Sequence, residues 1–61
     1  MKRRDLIRHL TSHGCAFDRE GRRHTIYRNS ASGRCAAVPR HREVQDTTAR
    51  SICDELMIPR P

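Results

Sequence analysis

Tryptophan is absent from this chain of 61 residues, and phenylalanine and tyrosine occur once each. With so little aromatic volume, a core has to be assembled from Leu, Ile, Val, Ala and Cys. A chain this short buries only about 60% of the surface its unfolded form exposes. That allows one domain over residues 1–61, with a small core and one pair of layers. It excludes a deep substrate cavity, so an active site has to lie on an open face, and a partner chain can add to stability. Cysteine is also scarce: Cys15, Cys35 and Cys53 are odd in number and form no C-x-x-C pair. This argues against a disulfide framework and a zinc ribbon, and for small buried hydrophobes in a reduced cytosol. Long apolar runs are missing as well. Met1-Lys2-Arg3-Arg4 has the charged start of a signal peptide, but Asp5, Arg8 and His9 break the apolar stretch that should follow. No segment reaches the length of a transmembrane helix. The expected location is the cytoplasm, with no membrane partner.

What the chain does have is arginine. Twelve of its thirteen basic residues are Arg, and the formal net charge is +6. The charge is concentrated. Residues 19–42 hold seven arginines against one acid, Glu20, while residues 43–61 carry four acids and two bases. Guanidinium is a planar fork suited to bidentate phosphate contact, so the bias points to nucleic acid more than to general solubility.

Apolar spacing gives the elements. Leu6, Ile7 and Leu10 form one stripe of a helix over residues 3–13, and Gly14 supplies its stop as a residue able to take positive φ. Residues 15–19 suit a short strand with Cys15 and Phe17 on one side. Glu20-Gly21-Arg22-Arg23 reads as a turn, and residues 24–29 have the β-branched and aromatic content of a second strand. Residues 29–33 are turn formers, residues 34–38 make a third strand, and Pro39 stops it. After a loop over 39–45, Asp46 or Thr47 is placed to cap a second helix. That helix carries Ala49, Ile52, Cys53 and Leu56 at i, i+3, i+4 and i+7, with Pro59 beyond its end. Short loops imply an antiparallel meander. The expected fold is α+β, in the order α-β-β-β-α. Two helices cover one face of a three-stranded sheet and leave the other open.

At the centre of the basic segment lies Gly21-Arg22-Arg23-His24-Thr25-Ile26-Tyr27-Arg28. Strand residues alternate faces. Tyr27 with Thr25 fills a core more cheaply than His24 with Arg28 would. This places Tyr27 inward, His24 and Arg28 on the open face, and Ile26 exposed between them, where a partner can cover it. Histidine as a residue type exchanges a proton near neutral pH. Among phosphates, it can take the proton of a ribose 2′-hydroxyl or give one to the leaving 5′-oxygen. Arginines and free backbone amides after Gly21 suit the charged pentacoordinate phosphate. From spacing alone, a surface histidine beside a turn remains the better account of His24. His41, between Arg40 and Arg42, suits phosphate contact more than catalysis. His9 and His13 have an i, i+4 spacing that can bind metal, but nothing is placed to complete the site, so a polar helix face is the better account. A two-metal nuclease centre, a glycine-rich phosphate loop and a nucleophile elbow are not visible.

The ordered residues resemble a known family. The basic first helix ending His13-Gly14, the run from Gly21 to His24, and Tyr27-Arg28-Asn29 all carry the resemblance. So do Val38-Pro39-Arg40-His41 and Thr48-Ala49-Arg50-Ser51-Ile52 leading to Leu56. Together they make the chain similar, over nearly its whole length, to HicA, the small mRNA-interferase toxin of HicAB toxin–antitoxin systems. The resemblance implies a double-stranded-RNA-binding-like fold and endoribonuclease cleavage of mRNA, without a required metal or cofactor. It implies His24 as the essential histidine and Gly21 as the glycine shaping the turn before it. A HicB-type antitoxin would cover the histidine-bearing face. Arg22 and Arg23 stand where many members have a small polar residue, which adds charge to the turn. In this reading Arg22, Arg23, Arg28, Arg40 and His41 hold RNA.

Two other classes fit the same residues. A non-catalytic RNA-binding module of the same fold shares the basic stripe and needs no special histidine. A DNA-binding regulator is weaker, because the turns and sheet, rather than one helix face, carry the charge.

Overall fold

The computed structural model describes residues 1–61. Helix α1 spans Arg3–Ser12, strands β1, β2 and β3 span Cys15–Glu20, His24–Asn29 and Cys35–Pro39, and helix α2 spans Asp46–Glu55. The sheet is an antiparallel meander in the order β1-β2-β3. The α-β-β-β-α order and the strand directions are those the sequence predicts, with boundaries displaced by a residue at most elements.

The inward face of the sheet is set by period-2 alternation. Thr25, Tyr27 and Asn29 of β2 are buried, as are Ala36 and Val38 of β3 and Cys15 of β1. Leu6 and Leu10 of α1 cover this face together with Ala49, Ile52 and Cys53 of α2, in one cluster that Leu56 joins. Each fully buried Leu or Ile contributes roughly 1.5–3 kcal/mol relative to an exposed one. Both helices therefore sit on one side. The other side presents His24 opposite Pro39, Ile26 opposite Ala37, and Arg28 between Ala16 and Cys35.

Several local expectations change. Val44, within the predicted loop, is buried because Met1–Arg3 pairs with the segment around it: Val44 N–H donates to Met1 O at 2.8 Å and Arg3 N–H to Arg42 O at 2.7 Å. The residue capping α2 is Gln45, with no side-chain capping bond. Asp46 is already helical, and its carboxylate accepts from the Met1 amine at 3.2 Å instead. Cys15 and Cys53 are buried as expected, and loss of hydration pushes both thiols up. Cys35 is exposed, because the alternation that turns Ala36 and Val38 inward turns it out. Phe17 shares the face of Tyr27, edge-on at 6.5 Å, yet stays 56% exposed on the edge strand.

α1 ends as expected, with Gly14 at φ +82°. α2 ends differently. Met57 takes φ +58°, Ile58 N–H donates to Cys53 O at 3.0 Å, and Met57 N–H to Asp54 O at 3.1 Å. This is the paired-bond C-terminal cap that usually places glycine at the left-handed position. Asn29 joins this end to the sheet: it is buried, and its Nδ2 donates to Leu56 O at 2.7 Å.

Candidate functional site

β1 carries one irregularity, and it shapes the site. Phe17 lies opposite Tyr27, but Arg19 lies opposite Ile26, so Asp18 is an extra residue, a β-bulge. Without it, simple alternation from Cys15 and Phe17 would turn Arg19 toward the helices and Glu20 away. With it, Glu20 pairs with Thr25. Thr25 Oγ1 donates to Glu20 Oε1 at 3.0 Å and accepts from Arg3 Nη2 at 3.3 Å. The Glu20 carboxylate thus meets the end of β3.

There it holds Arg40. Arg40 Nη2 and Nε donate to Glu20 Oε1 at 2.6 and 3.1 Å. The same Nη2 donates to Gly21 O at 2.6 Å and to His24 O at 3.1 Å, and Nη1 reaches Arg22 O at 3.5 Å. One guanidinium fastens most of the turn between β1 and β2. The Arg40 bond is the main cause that lowers the Glu20 carboxyl below its usual range, with the Thr25 bond second. Both side chains are about half exposed, and an ion pair open to solvent adds little stability. Its effect is on geometry: it fixes where the turn's carbonyls lie.

Gly21 is required here by space rather than by dihedral. Its N–H donates to His24 O at 2.8 Å. A Cβ on residue 21 would lie 2.9 Å from that same oxygen, closer than real Cβ atoms come. It would also lie 3.6 Å from Ile26 Cδ1. Ile26 folds over the turn and is half-buried rather than exposed as the sequence suggests. The amides of Arg22 and Arg23 take part in none of the backbone bonds of this turn, which run through Gly21 N–H and the carbonyls. They are donors free for a ligand.

His24 is the first residue of β2, exposed, and on the open face as expected. Its backbone is held by Gly21 and Arg40, while its imidazole is not used in that network. Pro39 lies opposite it, so Arg40 and His41 leave β3 beside it, and Arg22 and Arg23 precede it. These five residues come together at one end of the sheet. Arg28 does not join them. It lies on the same face, but four residues along β2 is about 13 Å at the rise of a strand. Its guanidinium turns toward the β2–β3 turn: a Cβ on Gly33 would sit 3.5 Å from Arg28 Nη2.

Sequence reasoning missed Arg3, Glu20 and Thr25 as supports of this end. Glu20 carried a signal, as the single acid in the arginine-rich segment, immediately before the turn glycine. Arg3 carried none.

An imidazole on a fixed backbone, free turn amides and adjacent guanidinium groups form an arrangement able to bind a phosphodiester and move a proton on it. No helix is long and apolar enough to cross a membrane. No curated protein and no solved structure matches this chain. The family model described as the HicA toxin of bacterial toxin–antitoxin matches residues 3–58 of the 61. The match takes in both helices and all three strands, and the chain belongs to the HicA toxin family.

Proposed function

We propose that this toxin is an endoribonuclease that cleaves mRNA, with His24 as the proton-transfer group. The observation that carries this reading is the contrast within one residue: the His24 carbonyl accepts two hydrogen bonds, from Gly21 N–H and Arg40 Nη2, and its ring is free at an open, basic edge. In the reaction a base takes the proton from the ribose 2′-hydroxyl, whose oxygen attacks the adjacent phosphorus. The bond to the 5′-oxygen breaks and that oxygen receives a proton, giving a 2′,3′-cyclic phosphate and a 5′-hydroxyl. Neutral imidazole suits the first transfer and imidazolium the second. The free amides of Arg22 and Arg23, with their side chains and His41, are suited to the charge that builds on the phosphoryl oxygens. Arg40, whose donors are spent on Glu20 and the turn, serves chiefly to hold this geometry.

Membership of the HicA toxin family supports the biological setting of this reading. Such a toxin acts on mRNA in the cytoplasm, slows translation, and is held inactive by a HicB-type antitoxin. An antitoxin that seats on the open face would cover His24, Ile26 and the small side chains Ala16 and Ala37.

The test is to express wild type and His24→Ala in bacteria, scoring growth and transcript integrity, and to assay the purified proteins on RNA. Removing a general acid–base group costs about 10²- to 10⁴-fold. His24→Ala should therefore stop cleavage and growth inhibition while RNA binding largely persists. Cleavage should also survive EDTA. Retained cleavage by His24→Ala would refute the assignment, and wild-type protein that binds RNA but leaves it intact would make the domain a binding module.

A further inference from the structure

We infer that a second basic feature, a groove beside α1 and behind the His24 edge, is a binding site for RNA phosphates that extends the substrate track. This rests on the reading of RNA as substrate and adds residues that reading does not use. The groove has a volume of about 490 Å³ and is lined by Lys2, Arg3, Arg4, Arg40, Arg42 and Glu43, with no hydrophobic residue among them. Small-molecule pockets of this size are mostly apolar. Every residue lining this one carries a charge.

The groove is built by pairing of distant chain segments. Lys2 bridges to Glu43, Arg3 N–H donates to Arg42 O at 2.7 Å, and Val44 N–H to Met1 O at 2.8 Å. These bonds set the start of α1 against the segment after β3 and bring their cations onto shared walls. Few of the charges are neutralised. Arg40 is paired with Glu20 at 2.6 Å, and Glu43 lies 3.5 Å from the Met1 amine. The Arg3 guanidinium bonds only to Pro39 O at 2.7 Å and to Thr25 Oγ1. Lys2, Arg4 and Arg42 have no carboxylate partner at all. The groove also adjoins the first turn of α1, where the helix dipole is positive and cations are unfavourable. Such crowding costs the folded chain through self-repulsion, and a polyanion relieves it.

The groove also connects to the proposed reaction centre. Arg3 holds the carbonyl of Pro39, the residue opposite His24, and Arg40 holds the carbonyl of His24 itself. A strand with its scissile phosphate at His24 can therefore lay a flanking part of its backbone across Arg4 and Arg42. The absence of any hydrophobic residue from a lining that is almost entirely cationic favours a phosphate backbone over a protein segment, which would bring apolar side chains to bury.

The test uses the full chain carrying His24→Ala, so that binding is read without cleavage. The probe is a fluorescent single-stranded RNA of mixed sequence, titrated over a range of salt. Arg4 and Arg42 are exposed and make no side-chain bonds, so Arg4→Ala with Arg42→Ala should leave the fold intact, which circular dichroism checks. Each lost phosphate contact lowers the slope of log K against log salt by about 0.7. The double variant should lose about 1.4 in slope and bind several-fold more weakly. Removing the same charge elsewhere, by Arg8→Ala with Arg34→Ala, should leave the slope unchanged. A slope insensitive to Arg4 and Arg42 overturns the groove as an RNA site. So does unchanged RNA binding with loss of affinity for polyglutamate, which makes it a protein-contact surface. No RNA binding by any of these proteins overturns both the groove and the proposed function, whereas an uncleaving wild type that binds RNA through the groove overturns the nuclease reading and leaves the groove standing.

Discussion

Replacing Gly21 by alanine separates the geometry of the His24 turn from the stability of the fold. The new Cβ would lie 2.9 Å from His24 O, and relief to ordinary van der Waals contact requires a movement of about half an ångström. The atom in the way is backbone, so no side chain can swing aside. If the His24 carbonyl moves, its 2.8 Å bond from Gly21 N–H and its 3.1 Å bond from Arg40 Nη2 both lengthen. Overpacking of this kind costs about 1–3 kcal/mol. Residue 21 does not lie in the left-handed region, so alanine also regains about 0.4–1 kcal/mol by restricting the unfolded chain. A net loss of about 1 kcal/mol is expected, or roughly 4–8 °C in Tm for a domain of this size. Activity should suffer more. A 1 Å misplacement can cost about 10²-fold, so half of that corresponds to about tenfold in cleavage rate. The control is Gly14→Ala. Gly14 has φ +82° with nothing within 4 Å of an added Cβ, so it loses about 1–2 kcal/mol through left-handed strain alone. It lies at the end of α1, away from the turn. Thermal melts and single-turnover cleavage of RNA, measured on both variants, decide the matter. Equal activity in the two at equal stability would refute the claim that close approach at residue 21 positions His24.

The Glu20 carboxyl is held below its usual range first by its bond from Arg40. Its stabilisation is therefore complete above the unfolded value of about 4.3 and is lost as pH falls through the lower folded value. Melts of wild type and Glu20→Gln should differ near neutral pH and converge in acid; a constant difference would show that the charge of Glu20 is not what matters. Met57 holds a left-handed conformation at the end of α2 while 66% exposed. Met57→Gly should stabilise by about 0.5–1 kcal/mol, seen as a higher melting temperature, and a decrease would mean that Met57 packing outweighs the strain.

Much of this architecture was legible because its causes are local. The stripe of Ala49, Ile52, Cys53 and Leu56 is a period any helix must satisfy, and all four are buried. In β2, alternation alone turned Thr25 and Tyr27 inward and His24 outward. The turn residues before it set where the strand begins. The location of Arg28 was only half legible: alternation gave the face, but not that its guanidinium would lean away from His24 toward Gly33.

The sequence by itself determined the order of elements, the faces of the strands, the basic middle and the exposed histidine at the head of β2. These follow from backbone periodicity, turn chemistry and charge, each read within a few residues. The tertiary structure decided the rest. A single bulge residue, Asp18, brings Glu20 opposite Thr25 and within reach of Arg40, twenty residues on. Pairing of residues 1–3 with 42–44 buries Val44 and gathers the groove's cations from both ends of that contact. A guanidinium can satisfy its five donors in many ways. Which carbonyls Arg40 clasps depends on register and on close approach at Gly21, and these exist only once the sheet has formed.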